Sequence, residues 1–433
     1  MYTLLRTGHL AGSTRLSLSC GLKQFPTEIY DLADTLEILD LSGNALSSLP
    51  DDLPRLHRLR VIFCSNNRFT HVPEVLGACP QLSMVGFKAN RIRHLPSASL
   101  PAALRWLILT DNQLCELPAA LGSCARLQKL MLAGNRLQRL PDEMAACHEL
   151  ELLRISANRF ASLPECVLSL PRLAWLAFAG NPFSDVCEAE AMAKTTAHSI
   201  SWTSLELQHK LGEGASGVIH QASWQDGPES AKSVAVKLFK GAVTSDGLPR
   251  SEKTACIAAG AHPNLIAVKG RVSGHPAGTA GLVLSLLDKR FGNLAEPPSL
   301  DTCTRDIYPD DRVFPLKTVL SLARGIAAAA AHLHERGIMH GDLYAHNMLW
   351  NGQGDCLLGD FGAASFIAQE EKAHSLQRIE VRAFGIWLAE LLERSNAAPQ
   401  SLEDLWTLQR RCEQADIEAR PLFAEIGDTL AGL

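Results

Sequence analysis

A few polar side chains in the second half of the chain have the types and spacing that phosphoryl transfer requires. Asp342 and Asn347 stand five residues apart in the stretch IMHGDLYAHN. A carboxylate and an amide on one loop suit a base and a metal ligand. Thirteen residues beyond Asn347, behind the strand-like CLLG, Asp360 opens the triplet Asp360-Phe361-Gly362. A second carboxylate there can hold Mg²⁺ across nucleotide phosphates. Upstream, LGEGASGVIH sets Gly212, Gly214 and Gly217 in G-x-G-x-x-G spacing, which lets the backbone close over phosphates and present N–H donors to them. A dinucleotide-binding fold uses the same spacing, but there the triplet opens a helix. Here it lies between strand-like segments, and the alternating run SVAVKLF downstream projects Lys237 toward whatever the glycine loop covers.

In this order and spacing, residues 205–430 resemble a eukaryotic-type protein kinase domain, closest to the tyrosine-kinase-like serine/threonine kinases. The resemblance implies a two-lobed α+β domain that uses ATP and Mg²⁺. It makes Leu211, Gly212, Glu213, Gly214, Gly217 and Ile219 the nucleotide-covering loop, and Ala235 part of the same site. Lys237 then pairs with the α/β-phosphates, and Glu252, in SEKTACIAAGAHPNLI, is the helix partner that orients it. Leu284 falls at the gatekeeper position, with Ser285 and Leu286 entering the hinge. By the same resemblance Asp342 is the catalytic base, and Asn347 and Asp360 hold Mg²⁺. ARPLFAEI matches the final kinase subdomain, with Arg420 as its buried arginine.

The departures carry information too. Gly341 replaces the arginine that precedes the base in the family and receives an activation-loop phosphate, which argues against regulation through Ser365 or Ser375. Tyr344 replaces the lysine two residues after the base, so a cation near the transferred phosphate is missing or comes from His346. The segment from Asp360 to Glu380 is short and lacks an Ala-Pro-Glu triplet; Glu370 or Glu371 is the expected partner of Arg420, and Glu380 stands where the helix-F aspartate belongs. His332, His334 and His340 are read as structural rather than metal-binding. Three classes of function remain open: an active protein kinase, a pseudokinase scaffold, and a small-molecule kinase of the aminoglycoside- or choline-kinase style, whose loop also reads His-Gly-Asp-Leu.

The first half of the chain is a repeat. LEILDLSGNALSSLP, from Leu36, returns as LRVIFCSNNRFTHVP, LSMVGFKANRIRHLP, LRWLILTDNQLCELP, LQKLMLAGNRLQRLP and LELLRISANRFASLP, and LAWLAFAGNPF truncates the series. Asn44, Asn67, Asn90, Asn112, Asn135, Asn158 and Asn181 recur every 22 or 23 residues. This is the leucine-rich-repeat pattern LxxLxLxxNxL, in which short strands stack into a parallel sheet, making the first domain an α/β solenoid. An irregular copy, TRLSLSCGLKQFPTEI, serves as the N-terminal cap. The outward strand positions include Val61, Phe63, Met84, Trp106, Ile108, Met131 and Trp175, an apolar band on the concave face. Such a band suits a protein substrate or regulator; the other reading is packing within the same chain.

These patterns divide the 433 residues into a leucine-rich-repeat domain at 1–183 (about seven repeats, 13–183), a cap and linker at 184–204, and a protein kinase domain at 205–433. A globular composition, 46% hydrophobic and 20% charged with a net charge of −5, gives no basic face for nucleic acid. The twelve cysteines are scattered without metal-ligand spacing, and the N-terminus lacks a signal-peptide core, so a reduced, cytoplasmic protein without a membrane span is expected.

Overall fold

The computed structural model describes residues 2–195, 198–227, 231–241, 243–368 and 372–433. The chain forms two compact units, Met1–Leu173 and Ala174–Leu433.

In the first unit a short helix, α1 (Tyr2–Arg6), precedes seven three-residue strands: β1 (Arg15–Ser17), β2 (Ile38–Asp40), β3 (Val61–Phe63), β4 (Met84–Gly86), β5 (Trp106–Ile108), β6 (Lys129–Met131) and β7 (Leu152–Arg154). They pair in parallel, in sequence order, with like positions of successive repeats in register, such as Leu39 with Ile62 and Leu107 with Leu130. The inward residue of each strand, Leu16, Leu39, Ile62, Val85, Leu107, Leu130 or Leu153, is buried. Most return paths begin at a proline and run as one short 3₁₀ turn, for example Glu74–Ala78 after Pro73 and Asp142–Ala146 after Pro141. Proline suits that place because its missing N–H would have no partner there.

The asparagines form the expected ladder. Asn112 donates to the carbonyls of Phe87 and Leu109 at 2.9 and 3.1 Å and accepts from the Ile92 amide at 3.0 Å. Asn135 and Asn158 repeat this one and two turns on. The residue before each asparagine turns the chain in the left-handed region: Gly43, Asn66, Ala89, Asp111, Gly134 and Ala157 have φ of 74°, 52°, 54°, 55°, 72° and 53°. Glycine, asparagine and aspartate tolerate that conformation; the two alanines are strained.

The second unit opens with β8 (Trp175–Ala177), α2 (Pro182–Lys194) and β9 (Ser199–Ser201). The boundaries read from the sequence therefore shift. The last repeat copy belongs to the second unit, and residues 184–204 are largely helix and strand rather than a bare connector. Asn181 caps α2 in reciprocal bonds with Ser184, which is what converts the last repeat into a helix start. Then come β10 (Leu205–Glu213), β11 (Gly217–Gln225), β12 (Ala231–Phe239), α3 (Pro249–Ala259), β13 (Val268–Ser273) and β14 (Gly281–Ser285). Their sheet has the order β10-β11-β12-β14-β13-β9, with β9 parallel to β13. The remainder is mainly helical: β15 (Gly292–Asn293), α4 (Leu316–Glu335), β16 (Ile338–Met339), β17 (Met348–Trp350), β18 (Cys356–Leu358), β19 (Ser365–Phe366), α5 (Ala373–Glu393), α6 (Pro399–Cys412) and α7 (Phe423–Ala431). α5 is buried along most of its length, from Leu376 to Leu392, and forms the centre of this lobe. Among the described residues no helix is long and apolar enough to cross a membrane.

Candidate active site

The two halves of the site come from different lobes of the second unit. β10 and β11 are antiparallel and turn over at residues 214–216, where the Gly214 amide donates to the Gly217 carbonyl at 2.9 Å. Gly217 is obligatory, because a Cβ there would lie 2.6 Å from the Leu238 carbonyl oxygen of the neighbouring strand; Gly212 and Gly214 face open space. Leu211 is exposed. Glu213 is engaged by Lys210 at 3.0 Å and by Lys240, and these bonds hold its carboxyl down at about 2.

Lys237 lies on β12 and its Nζ is hydrogen-bonded to Glu252 Oε1 of α3. Both are largely buried, Glu252 to 2% exposure. Burial pushes the lysine toward its neutral form, but the charges of Glu252 and Asp360 outweigh it and hold the ammonium above its ordinary range. For Glu252 burial raises the carboxyl, and Lys237 offsets only part of that. The pair lines a cavity of about 80 Å³ together with Ile219, Leu284, Asp360 and Phe361. Cys256 and Leu282 line it too; the sequence pattern did not single them out for this role. Ala235 is buried in β12, and the Ser285 amide is bonded to the Ala267 carbonyl at 2.9 Å, with Leu286 half-buried after it.

On the loop between β16 and β17, Asn347 Nδ2 donates to both the main-chain oxygen and the Oδ2 of Asp342, at 2.9 and 2.8 Å. Both amide hydrogens are thus committed to Asp342, which leaves the Asn347 carbonyl oxygen for a cation. Asp360 takes φ of 50°, is exposed, and accepts from the Gly362 amide at 3.1 Å. Phe361 is buried, its ring centroid 5.2 Å from that of His340. His340 in turn is hydrogen-bonded to the Gly359 carbonyl at 2.7 Å, tying the two loops together. An acidic side chain and a neutral amide oxygen are donors of the kind that suits a hard divalent cation.

Beneath the loop, Glu380 of α5 accepts from the amides of His340 and Gly341 at 3.2 and 2.6 Å and is hydrogen-bonded to His334 at 2.7 Å. His332 is bonded to the Ala259 carbonyl at 2.7 Å, and among the described residues no His/Cys/Asp/Glu group is arranged to hold a metal through three such side chains. His346 is fixed by Asp306, Nδ1 to Oδ1 at 2.7 Å with its amide on Oδ2 at 3.0 Å. Burial opposes the imidazolium, but Asp306 and the nearby charges of Asp342 and Asp360 hold the ring above its usual range. Asp306 lies 40 residues upstream of His346 in a stretch without periodicity, and no sequence signal announces it. Arg420 is buried and donates to the carbonyls of Gln414 and Arg378 at 2.8 and 3.2 Å; Glu370 and Glu371, its expected partners, lie outside the described residues.

The apolar band needs correction at three positions. Trp175 is 1% exposed: its indole stacks on Tyr344 and donates to the Leu343 carbonyl, so it is not a free binding surface. Val61 and Met84 are also buried, at 2% and 4% exposure. Phe63, Trp106, Ile108 and Met131 remain half-exposed, with Lys129 Nζ lying 4.6 Å from the centre of the Trp106 ring.

The fold and site define a repeat unit joined to a protein kinase domain. Residues 205–407 match the family model for protein tyrosine and serine/threonine kinases, and residues 35–56 match that for the leucine-rich repeat. Several relatives are serine/threonine-protein kinases by name. One from Dictyostelium discoideum, named a probable serine/threonine-protein kinase, is 29% identical over 42% of this chain and 10% of its own length. The US3 homolog of bovine herpesvirus 1.2 is 41% identical over 16% of this chain and 15% of its own. The Drosophila melanogaster kinase PITSLRE is 26% identical over 36% of this chain and 15% of its own. The chain thus spans only a small part of the length of these relatives.

Proposed function

We propose that this chain is an ATP- and Mg²⁺-dependent protein kinase that phosphorylates serine or threonine hydroxyls. The observation that carries the reading is the assembled Lys237–Glu252 pair, with Asp360 in the same cavity and Asp342 locked to Asn347. Lys237 binds the nucleotide phosphates under the glycine loop, and Glu252 keeps its ammonium in place. Asp342 orients the acceptor hydroxyl and receives its proton. Asn347 and Asp360 would hold Mg²⁺, which neutralises charge on the phosphates when bound. His346, whose ring Asp306 holds above its usual range against burial, stands in the loop where Tyr344 offers no charge. The half-exposed Phe63, Trp106, Ile108 and Met131 recruit a protein partner or substrate, and the free state of all twelve cysteines suits a reducing, cytoplasmic setting.

One observation favours a second acceptor class. Only residues 367–372 join β19 to α5, a short link where a peptide-binding platform would lie, and a small alcohol needs no such platform. The test is transfer from Mg·[γ-³²P]ATP to a panel of this protein, a generic basic protein and small alcohols. Wild type should label protein serine or threonine, and Lys237→Met and Asp342→Asn should not. Label only on a small alcohol would reassign the acceptor, and label retained by Asp342→Asn would remove the assigned base.

A further inference from the structure

The segment that opens the second unit touches the loop that carries Asp342. The Trp175 indole lies parallel to the Tyr344 ring, centroids 4.1 Å apart and planes 5° apart, and its Nε1 donates to the Leu343 carbonyl at 3.1 Å. Leu343 and Tyr344 come directly after Asp342. Beside them, the Ser365 hydroxyl accepts from the amides of Phe178 and Ala179 at 2.9 and 3.1 Å. Ser365 belongs to β19, which pairs with β16 just ahead of the catalytic loop. The approach is close enough to dictate Gly341: with φ of 75°, a Cβ there would lie 2.7 Å from the Leu176 carbonyl oxygen and 2.6 Å from that of Ala363. Any larger residue, arginine included, is excluded by that contact. Trp175 and Ser365 are 1% and 0% exposed.

A loop that carries a reacting group needs support on both sides, since a misplacement of about 1 Å costs on the order of 100-fold in rate. Glu380 supplies one support, through the amides of His340 and Gly341, and residues 174–179 supply another, through the Trp175 stack and the bonds at Leu343 and Ser365. We propose that Trp175 is a positioning residue for phosphoryl transfer. The segment Ala174–Ala179 serves, in cis and without phosphorylation, as a brace for the loop that carries Asp342. The inference rests on the protein kinase reading, with Asp342 as its base.

The test uses the full chain and two variants, Trp175→Ala and Trp175→Phe; the second keeps the stack on Tyr344 and loses only the donor to Leu343. Three quantities are read: kcat and KM for ATP, turnover after phosphatase treatment, and amide hydrogen exchange of peptides covering 338–347. Trp175→Ala should lower kcat by about 10- to 100-fold with KM for ATP little changed. Trp175→Phe should recover most of that loss. Exchange should quicken at 338–347 in Trp175→Ala and stay unchanged in β10–β12, and phosphatase should leave wild-type turnover intact. Wild-type kcat and exchange in Trp175→Ala would overturn the proposal, as would turnover abolished by phosphatase. Should the wild type transfer no phosphate, the kinase reading fails by itself. Exchange then decides the brace: quickening confined to 338–347 upholds it, and no change removes it. Should Trp175→Ala not fold, Trp175→Leu, which also lacks the stack and the donor, decides: lowered kcat with quickened exchange at 338–347 upholds the brace, and wild-type values for both overturn it.

Discussion

Glu380 shows how one buried carboxylate can set the geometry of a loop to which it does not belong. Its two oxygens accept from successive amides, those of His340 and Gly341, and thereby fix the chain just before Asp342. An aspartate is the residue that the family resemblance leads one to expect here; the extra methylene lets the carboxylate reach both amides and His334. Burial raises the Glu380 carboxyl, but the bonds from His334 and the Gly341 amide outweigh it and hold it below the usual glutamate range. A depressed pKa contributes stability that is present above the unfolded value of about 4.3 and lost as pH falls through the lower folded value. Glu380→Gln should therefore cost about 3 kcal/mol at neutral pH, lower turnover, and remove this acid-side dependence, as read from urea denaturation at pH 3–7 and from kcat. An unchanged acid limb in the variant would contradict the assignment. At this scale the motif spacing anticipates two contacts, Lys237 with Glu252 and Asn347 with Asp342. It was silent on Asp306, whose bond to His346 depends on a long aperiodic stretch folding back.

Elements were legible in proportion to their periodicity. The 22- or 23-residue spacing of the asparagines announces every strand from β2 to β8, because each strand is only one turn of a coil that the asparagine closes. The left-handed turn before each asparagine has its own consequence. Ala157, at φ of 53°, carries strain that glycine would not, whereas Gly134, at 72°, occupies the equivalent place without strain. Ala157→Gly should stabilise the first unit by about 0.5–1 kcal/mol and Gly134→Ala should destabilise it by about 1–2 kcal/mol, measured by chemical denaturation. The same sign for both would contradict the turn argument. The pattern failed at its end. LAWLAFAGNPF reads as one more exposed-face repeat, yet Trp175 is covered by Tyr344, because a partner 169 residues later in the chain leaves no trace in a local period. α2 and β9 escaped for a related reason: 184–204 is small and polar, and its structure comes from the Asn181 cap and from pairing with β13.

Across the whole molecule the stability of the second unit carries a signature from outside the site. Glu390 of α5 accepts from the Tyr308 hydroxyl at 3.1 Å, and burial first, then the Asp306 charge, push its carboxyl up to about 8. Between about pH 4.3 and 8 the folded state keeps a proton that the unfolded chain releases, so this group's contribution to stability declines as pH rises through that window. Glu390→Gln should abolish a loss on the order of a few kcal/mol between pH 5 and 8, and a wild-type profile that rises as steeply as the variant's would refute it. The two-part architecture is read from sequence alone because a repeat and a set of ordered motifs are independent signals. The boundary falls ten residues before the one read from the sequence, because the last repeat copy, β8 included, is part of the second unit. The central claim, that the second unit transfers the γ-phosphoryl group of ATP, is tested most directly by incubating full-length wild type, Lys237→Met and Asp342→Asn with Mg·[γ-³²P]ATP and the protein and alcohol panel. The account predicts labelled protein serine or threonine from wild type alone, with nucleotide binding retained in Asp342→Asn; equal labelling by all three, or none by wild type, would contradict it.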